Sequence, residues 1–140
     1  MKYLEIIPII IYAFVGIISM IMANKSLFSK RFILFHEKAA AITFDELDKP
    51  LQSVILALTR VSGLGFLVTS LLLLIFPIVN YFIHDEFLKF SIPIISLVFC
   101  TGLFLINYHL YIETKSETPW LNSLIAMFGI IIGVIISLFT

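Results

Sequence analysis

The sequence predicts an all-α integral membrane protein, built as a bundle of four transmembrane helices. The 140-residue chain is 61% hydrophobic and only 13% charged, and its mean hydropathy is +1.12. Its apolar residues form four long runs separated by short polar segments. A water-soluble domain of this size has too little interior to bury so much apolar surface. The lipid bilayer is therefore the expected solvent for most of the chain.

Each apolar run is long enough to cross the hydrocarbon layer, which takes about 20 residues in a helix. The predicted helices cover about residues 3–23, 51–83, 87–112 and 119–139 of one membrane domain, 1–140, with a basic loop at 24–50. The runs lack the alternation of a barrel strand. In lipid, backbone hydrogen bonds must then be satisfied within each segment, which favours helices.

The first run could also be a cleaved secretory leader, because Lys2 precedes it and Ala23 follows it. The run is longer than the roughly 7–15 residues of a leader core. Glu5 is out of place in a basic leader, and Ile21 is large for a residue preceding a cleavage site. We therefore expect a retained helix.

The orientation follows from lysine and arginine, which are enriched in cytoplasmic loops. Six cations fall on the side of the first loop: Lys25, Lys30, Arg31, Lys38, Lys49 and Lys115. Only Lys2 and Lys89 fall on the opposite side. This bias predicts a cytoplasmic first loop, with both termini outside.

The first loop has two interpretations. Leu27, Phe28, Phe32 and Phe35 recur at helical spacing among cations, which is typical of a helix lying on anionic headgroups. A plain basic connector is the alternative. Thr43 and Glu46 have capping-box spacing and predict a short helix there. The run Asp48-Lys49-Pro50 is typical of a helix start, because proline is tolerated in the first turn.

Small residues indicate where helices touch, because close backbone approach drives association in lipid. The expected packing residues are Gly63, Gly65, Gly129, Gly133 and Ser137. Gly129 and Gly133 form a GxxxG pattern that fits either packing within the bundle or a dimer seam. We expect the former, because four helices must already bury four faces. Cys100 is the only cysteine and is interpreted as a packing residue.

A polar cluster is predicted at the cytoplasmic ends of three helices. Its members are Arg60, Asn107, His109, Glu113 and Asn122. Either Arg60 faces Glu113 or His109 across a polar pocket, or it extends to the headgroups while the asparagines bond to backbone. His109 and Glu113 share a helix face, but no further metal ligands are arranged around them, so no metal site is predicted.

A second polar group lies at the outer end. It contains Glu5, Asn80, His84, Asp85 and Glu86, with Tyr81 nearby. We interpret residues 84–86 as a solvated turn rather than a site.

Enzyme signatures such as HExxH, GxSxG and the Walker lysine loop do not occur in the sequence. No cofactor and no nucleic-acid partner are predicted. The leading hypothesis is an accessory or interaction subunit, bound to a larger membrane partner or to a second copy. A homo-oligomeric transporter or channel that uses the cytoplasmic cluster is the alternative. A membrane enzyme acting on a lipid or quinone, with His109 and Glu113 as acid and base, is the second alternative.

One set of residues is distributed from about Phe35 to the end of the chain: Phe35-His36, Ala39-Ala40, Phe44-Asp45-Glu46-Leu47, Gln52, Leu56-Ala57-Leu58, Arg60-Val61, Gly63-Leu64-Gly65 and Thr118-Pro119-Trp120. In these residues the chain resembles a family of small, uncharacterised bacterial four-helix membrane proteins. The resemblance implies four helices and a bacterial inner membrane, and it implies no activity. The turn at 82–89 is less basic here than in that family, which bears on the orientation rather than the architecture.

Overall fold

The computed structural model describes residues 2–139, with side chains from residue 5 onward. The helices are α1 (Lys2–Leu27), α2 (Leu34–Ala40), α3 (Lys49–Ile83), α4 (Glu86–Thr114) and α5 (Trp120–Ser137). A 3₁₀ turn, Phe44–Glu46, precedes α3, and the described range contains no strand. Helices α1, α3, α4 and α5 are long and apolar enough to cross a membrane. The predicted all-α, four-helix membrane fold is confirmed.

The four long helices pack as a ring in which α1 contacts α3 and α5, and α4 contacts the same two helices. All four contribute to one buried cluster. Its members are Tyr12 and Val15 from α1, Leu73 from α3, Cys100 from α4 and Ile130 from α5. Cys100 is a free, buried thiol in this cluster, so its interpretation as a packing residue is confirmed.

The distribution of polar and apolar side chains suits a lipid environment. The buried polar residues of the described chain are all serines and threonines: Ser19, Ser26, Thr59, Thr69, Ser70, Ser96, Ser123 and Ser137. Large apolar side chains such as Phe14, Val68 and Phe128 instead face outward on three different helices. Small hydroxyl residues between helices and large apolar residues outside are what packing in a bilayer favours.

Glycines allow the helices to approach closely at several contacts. A Cβ atom on Gly133 would lie 2.5 Å from Cε1 of Tyr12, and one on Gly129 would lie 3.4 Å from Val15. A Cβ atom on Gly63 would lie 3.0 Å from the backbone nitrogen of Leu27, and one on Gly65 would lie 2.8 Å from the Phe99 ring. The GxxxG pattern of α5 therefore faces α1 inside the bundle.

The contacts between helices also show which of their residues lie at the same level along the bundle axis. Gly63 faces Ser26 and Leu27, whereas Gly16 faces Leu73 and Leu74, so α1 and α3 are antiparallel. Because Gly63 lies level with the end of α1, the first 14 residues of α3, residues 49–62, continue beyond it. At 1.5 Å per residue this is about 21 Å. Together with residues 28–48 and the α4–α5 turn, they form what we call the loop-side extension.

The first loop differs from the amphipathic helix that its aromatic spacing suggested. Leu27 ends α1, four residues later than predicted, and helix α2 begins only at Leu34. The Ser29 hydroxyl donates a hydrogen bond to the Arg31 carbonyl, a local bond that competes with helix formation. The aromatic residues consequently do not share one helix face. Phe28 is exposed, whereas the Phe32 ring packs 5.3 Å from that of Phe44.

The predicted capping signals are confirmed. The backbone N–H of Thr43 donates to Oε2 of Glu46 at 2.8 Å, which completes the capping box of the 3₁₀ turn. Asp48 precedes the first residue of α3, and Pro50 lies in its first turn. The Gln52 side-chain amide then donates to the carbonyls of Phe44 and Leu47, at 3.0 and 2.9 Å. These bonds fix the 3₁₀ turn against α3.

Two titratable residues of the loop-side extension have shifted pKa values. Burial lowers the pKa of His36 below its ordinary value of 6.5. The Lys38 ammonium, whose Nζ lies 2.9 Å from Oε2 of Glu117, lowers the pKa of that carboxyl through a hydrogen bond and its charge. At both residues the folded extension binds a proton less readily than the unfolded chain does. Protonation at low pH therefore lowers the stability of the folded extension.

We expect acidification to loosen the extension before it affects the membrane helices. The stability that neutral His36 contributes begins to be lost as the pH falls through 6.5, the ordinary pKa of histidine. The loss is complete below the lowered pKa of His36 in the folded state. The Glu117 contribution is lost at lower pH, as the pH falls through the lowered pKa of that carboxyl. Hydrogen exchange of α2, corrected for intrinsic rates, should be faster at about pH 5.5 than at about pH 7.5. His36→Phe should abolish this difference, and an unchanged difference would contradict the assignment to His36.

Candidate functional site

The structure places the five residues of the predicted cytoplasmic cluster near the loop-side ends of α3, α4 and α5, but it joins only two of them. Nε2 of His109 lies 3.1 Å from Oε1 of Glu113 one turn along α4. Both side chains are open to the surroundings, with exposures of 73% and 60%. Exposed pairs within one helix contribute little to stability, and neither side chain lines the cavity described below.

Arg60 does not pair with Glu113. Among the described side chains it forms no ion pair, and it is exposed on α3. The register explains this, because Gly65 faces Phe99 and Arg60 is therefore level with Phe104. Glu113 lies nine residues further along α4, about 13 Å in axial rise.

Arg60 instead lies level with an aromatic group on α4 and α5. The Trp120 ring lies 6.4 Å from Phe104, 5.7 Å from Tyr108 and 6.0 Å from Tyr111. Tryptophan and tyrosine concentrate where a bilayer meets water, so this level suits a guanidinium that extends to the headgroups. The extension of Arg60 to the headgroups is compatible with this level and stays a prediction.

The two asparagines belong to different surroundings. The Asn107 carbonyl accepts a hydrogen bond from the Thr118 hydroxyl at 2.8 Å, which closes the turn between α4 and α5. Asn122 is exposed on α5. Within the described residues, no three histidine, cysteine or acidic side chains are grouped as a metal ion would require.

Replacing Arg60 and Glu113 should therefore give small and additive effects. We expect Arg60→Leu and Glu113→Gln each to change the free energy of unfolding by less than about 1 kcal/mol, the range of exposed charges. The double variant should equal the sum of the two within error. Thermal melts in detergent measure all three variants. A coupling of about 2 kcal/mol would mean that the two side chains pair in spite of the register.

A cavity of about 120 Å³ lies at the opposite end of the bundle, near the turn between α3 and α4. Residues from all four long helices line it. They are Glu5, Pro8, Ile9 and Tyr12 of α1; Pro77, Asn80, Tyr81 and the adjoining His84 of α3; Glu86, Leu88, Lys89, Ile92 and Pro93 of α4; and Ser137 of α5. The volume accommodates several water molecules. We call this the outer cavity.

Three prolines, one from each of three helices, line the outer cavity: Pro8, Pro77 and Pro93. A proline inside a helix has no N–H and displaces the preceding turn. The carbonyls of Leu73 and Lys89, four residues before Pro77 and Pro93, consequently lack their usual helical donor. The prolines thus interrupt close packing and leave backbone acceptors near the cavity, which membrane helices tolerate where polar groups or water satisfy them.

The rim of the outer cavity carries both signs of charge. Nζ of Lys89 lies 3.5 Å from Oε1 of Glu86 and 5.4 Å from the centre of the Phe90 ring. Glu5 forms no ion pair with any described side chain. Among the described lining residues, two carboxylates against one ammonium give a net charge of −1, with His84 counted as neutral.

The floor of the outer cavity is formed by buried residues of α1 and α5. Tyr12 is only 3% exposed, and its hydroxyl lies beside the Ser137 side chain. Ser137 itself donates to the Gly133 carbonyl at 2.8 Å. The floor is therefore fixed by interhelical packing, whereas the charged rim is partly accessible, with 76% of the Glu86 side chain and 19% of the Lys89 side chain exposed.

Part of this site was predicted from the sequence as a polar group at the outer end. His84 and Glu86 are exposed, as expected for a solvated turn, yet both also line the cavity. Asp85 instead caps α4, because its carboxylate accepts a hydrogen bond from the Leu88 N–H at 2.9 Å. Tyr12, Lys89 and the three prolines were missed. The sequence signal that could have indicated this cavity is the single proline within each of three predicted spans.

No protein-family model, curated protein or solved structure matches this chain. The candidate sites therefore rest on the residues and their geometry alone.

Proposed function

We propose that this chain is a non-catalytic accessory protein of a bacterial inner membrane, and that its loop-side extension docks on a partner protein in the cytoplasm. The six-to-two distribution of cations supports this orientation. Exposed apolar side chains on the extension support the docking role, and they are the observation that carries the proposal.

These side chains lie on the part of α3 beyond the end of α1. Leu51, Val54 and Leu58 are spaced by three and four residues, so they share one helix face. All three are exposed, Leu58 by 62%. On α1 the hydrocarbon layer fits between Glu5 and Lys25, 20 residues or about 30 Å apart. Because Leu51–Leu58 lie well past the level of Lys25, lipid tails do not cover them, and a partner protein would.

The apolar face itself indicates the chemistry of the partner. With 3.6 residues per turn, Lys49 and Arg60 are exposed on the side of α3 opposite this face. A partner helix with an apolar face would match the surface formed by Leu51, Val54 and Leu58. Lys30 and Arg31, also exposed, are placed to contact anionic headgroups.

The other two hypotheses stay predictions, and they receive less support from the geometry of the residues they use. Both the transporter and the lipid or quinone enzyme depended on the cytoplasmic polar cluster. None of its five residues lines the outer cavity, and Arg60 and Glu113 form no ion pair.

Photo-cross-linking in intact cells tests the docking face. A photoreactive amino acid at Val54 should give a discrete protein adduct, whereas the same group at the exposed neighbour Ser53 should give much less. Val54→Asp should prevent association of the wild-type partner in a pull-down, because a carboxylate disrupts apolar contact. An adduct of twice the chain mass would identify a second copy as the partner. Equal labelling at both positions would contradict docking through this face.

A further inference from the structure

An apolar groove on the outer surface of α1 and α3 adjoins the outer cavity. The groove is lined by Ile6, Ile9, Ile78, Tyr81 and Phe82, and it shares Ile9 and Tyr81 with the outer cavity. A partly enclosed chamber with charged residues in its lining thus adjoins an open apolar groove between α1 and α3. An amphiphilic molecule with a small polar head and an apolar tail fits both parts at once.

The chemistry of the chamber selects the head. Glu5 has no ionic partner among the described side chains and can accept charge-assisted hydrogen bonds from a primary ammonium. The rings of Tyr12 and Tyr81 also line the chamber and offer aromatic faces to a cation. Lys89 and His84 lie on the same rim, where they can bind an adjacent phosphate.

We propose that the outer cavity binds an aminophospholipid, with its primary ammonium at Glu5, its phosphate at Lys89 and an acyl chain in the groove of Ile6, Ile9 and Ile78. The chamber lies at the level where headgroups occur, because Glu5 marks the outer end of the 30 Å apolar stretch of α1. This site is at the opposite end of the bundle from the proposed docking face, so the two proposals are independent.

The net negative rim and the small chamber discriminate between headgroups. A phosphatidylcholine headgroup carries a bulkier cation that cannot donate hydrogen bonds to Glu5. A phosphatidylglycerol headgroup has no cation and is repelled by the carboxylates. We therefore expect about tenfold tighter binding of phosphatidylethanolamine than of either, the effect of losing one charge-assisted hydrogen bond.

Titration of the purified full-length chain with short-chain lipids, read by native mass spectrometry, tests the proposal. Glu5→Gln should weaken phosphatidylethanolamine binding about tenfold and abolish the preference over phosphatidylcholine. Glu113→Gln, which removes an exposed carboxylate at the other end of the bundle, is the matched control and should bind like the wild type. Ile9→Trp should block both chamber and groove and reduce binding of all three lipids. A thermal melt of each variant verifies that the bundle is intact.

Soluble phosphoethanolamine separates a lipid headgroup from a free metabolite of the same chemistry. It should bind far more weakly than the lipid, because it leaves the groove empty. Equal binding of lipid and soluble compound would overturn the lipid assignment. Equal binding of the three lipids, or identical behaviour of Glu5→Gln and Glu113→Gln, would overturn the site.

Discussion

Gly133→Ala is expected to destabilise the bundle by about 1–3 kcal/mol, the usual effect of overpacking a tight interior. The added Cβ would lie 2.5 Å from Cε1 and 2.8 Å from Cζ of Tyr12. Tyr12 is only 3% exposed, and its ring fills the contact between α1 and α5. The added methyl group must push the ring toward the outer cavity or separate the two helices, and either movement disturbs the seam that forms the cavity floor. Thermal melts in detergent measure the loss.

Gly102→Ala is the matched control, because a Cβ atom there would meet nothing within 4 Å. It should leave stability unchanged or raise it by up to about 1 kcal/mol through better helix propensity. In a Tyr12→Leu background, Gly133→Ala should cost less, because the obstructing ring is gone. Equal melting temperatures for Gly133→Ala and Gly102→Ala would contradict the close contact of α1 and α5.

Leu73→Ala should destabilise the bundle by about 2 kcal/mol or more, because it leaves a cavity among all four long helices. Leu73 is 1% exposed and belongs to the central cluster. In a bilayer or micelle the leucine side chain stays in an apolar environment even when the helices separate. The loss therefore reflects lost packing rather than exposure to water.

Leu71→Ala is the control for this experiment. Leu71 lies two residues earlier on α3 but is 41% exposed, and it faces lipid in our account. Its replacement should change stability by less than about 0.5 kcal/mol. Equal losses of stability in the two variants would contradict the assignment of Leu73 to the core and of Leu71 to the outer surface of α3.

Local features of the fold could be predicted because their causes lie within a few residues. The capping box of Thr43 and Glu46 needs only three-residue spacing, and Pro50 identifies a first helical turn from its own chemistry. Hydropathy likewise located the four spans. The helix ends were less accurate, as at α1, where Ser29 and Arg31 rather than the aromatic spacing decide the conformation of the loop.

Features that depend on helix register could not be predicted. Pairing of Arg60 with Glu113 is plausible until Gly65 is found against Phe99, which places the two charges at different levels. The outer cavity was missed for the same reason. Pro8, Pro77 and Pro93 are far apart in the sequence, and only the packed bundle brings them to one cavity.

Both proposed sites require a chain that crosses the bilayer four times, with the loop-side extension and the outer cavity on opposite faces of the membrane. Cysteine accessibility in cells tests this, in a Cys100→Ala background. Ser29→Cys should react with an impermeant reagent only after the membrane is permeabilised, whereas Asp85→Cys should react in intact cells. Labelling of both positions in intact cells would contradict the four-span topology, and labelling of Ser29→Cys alone would reverse the proposed orientation.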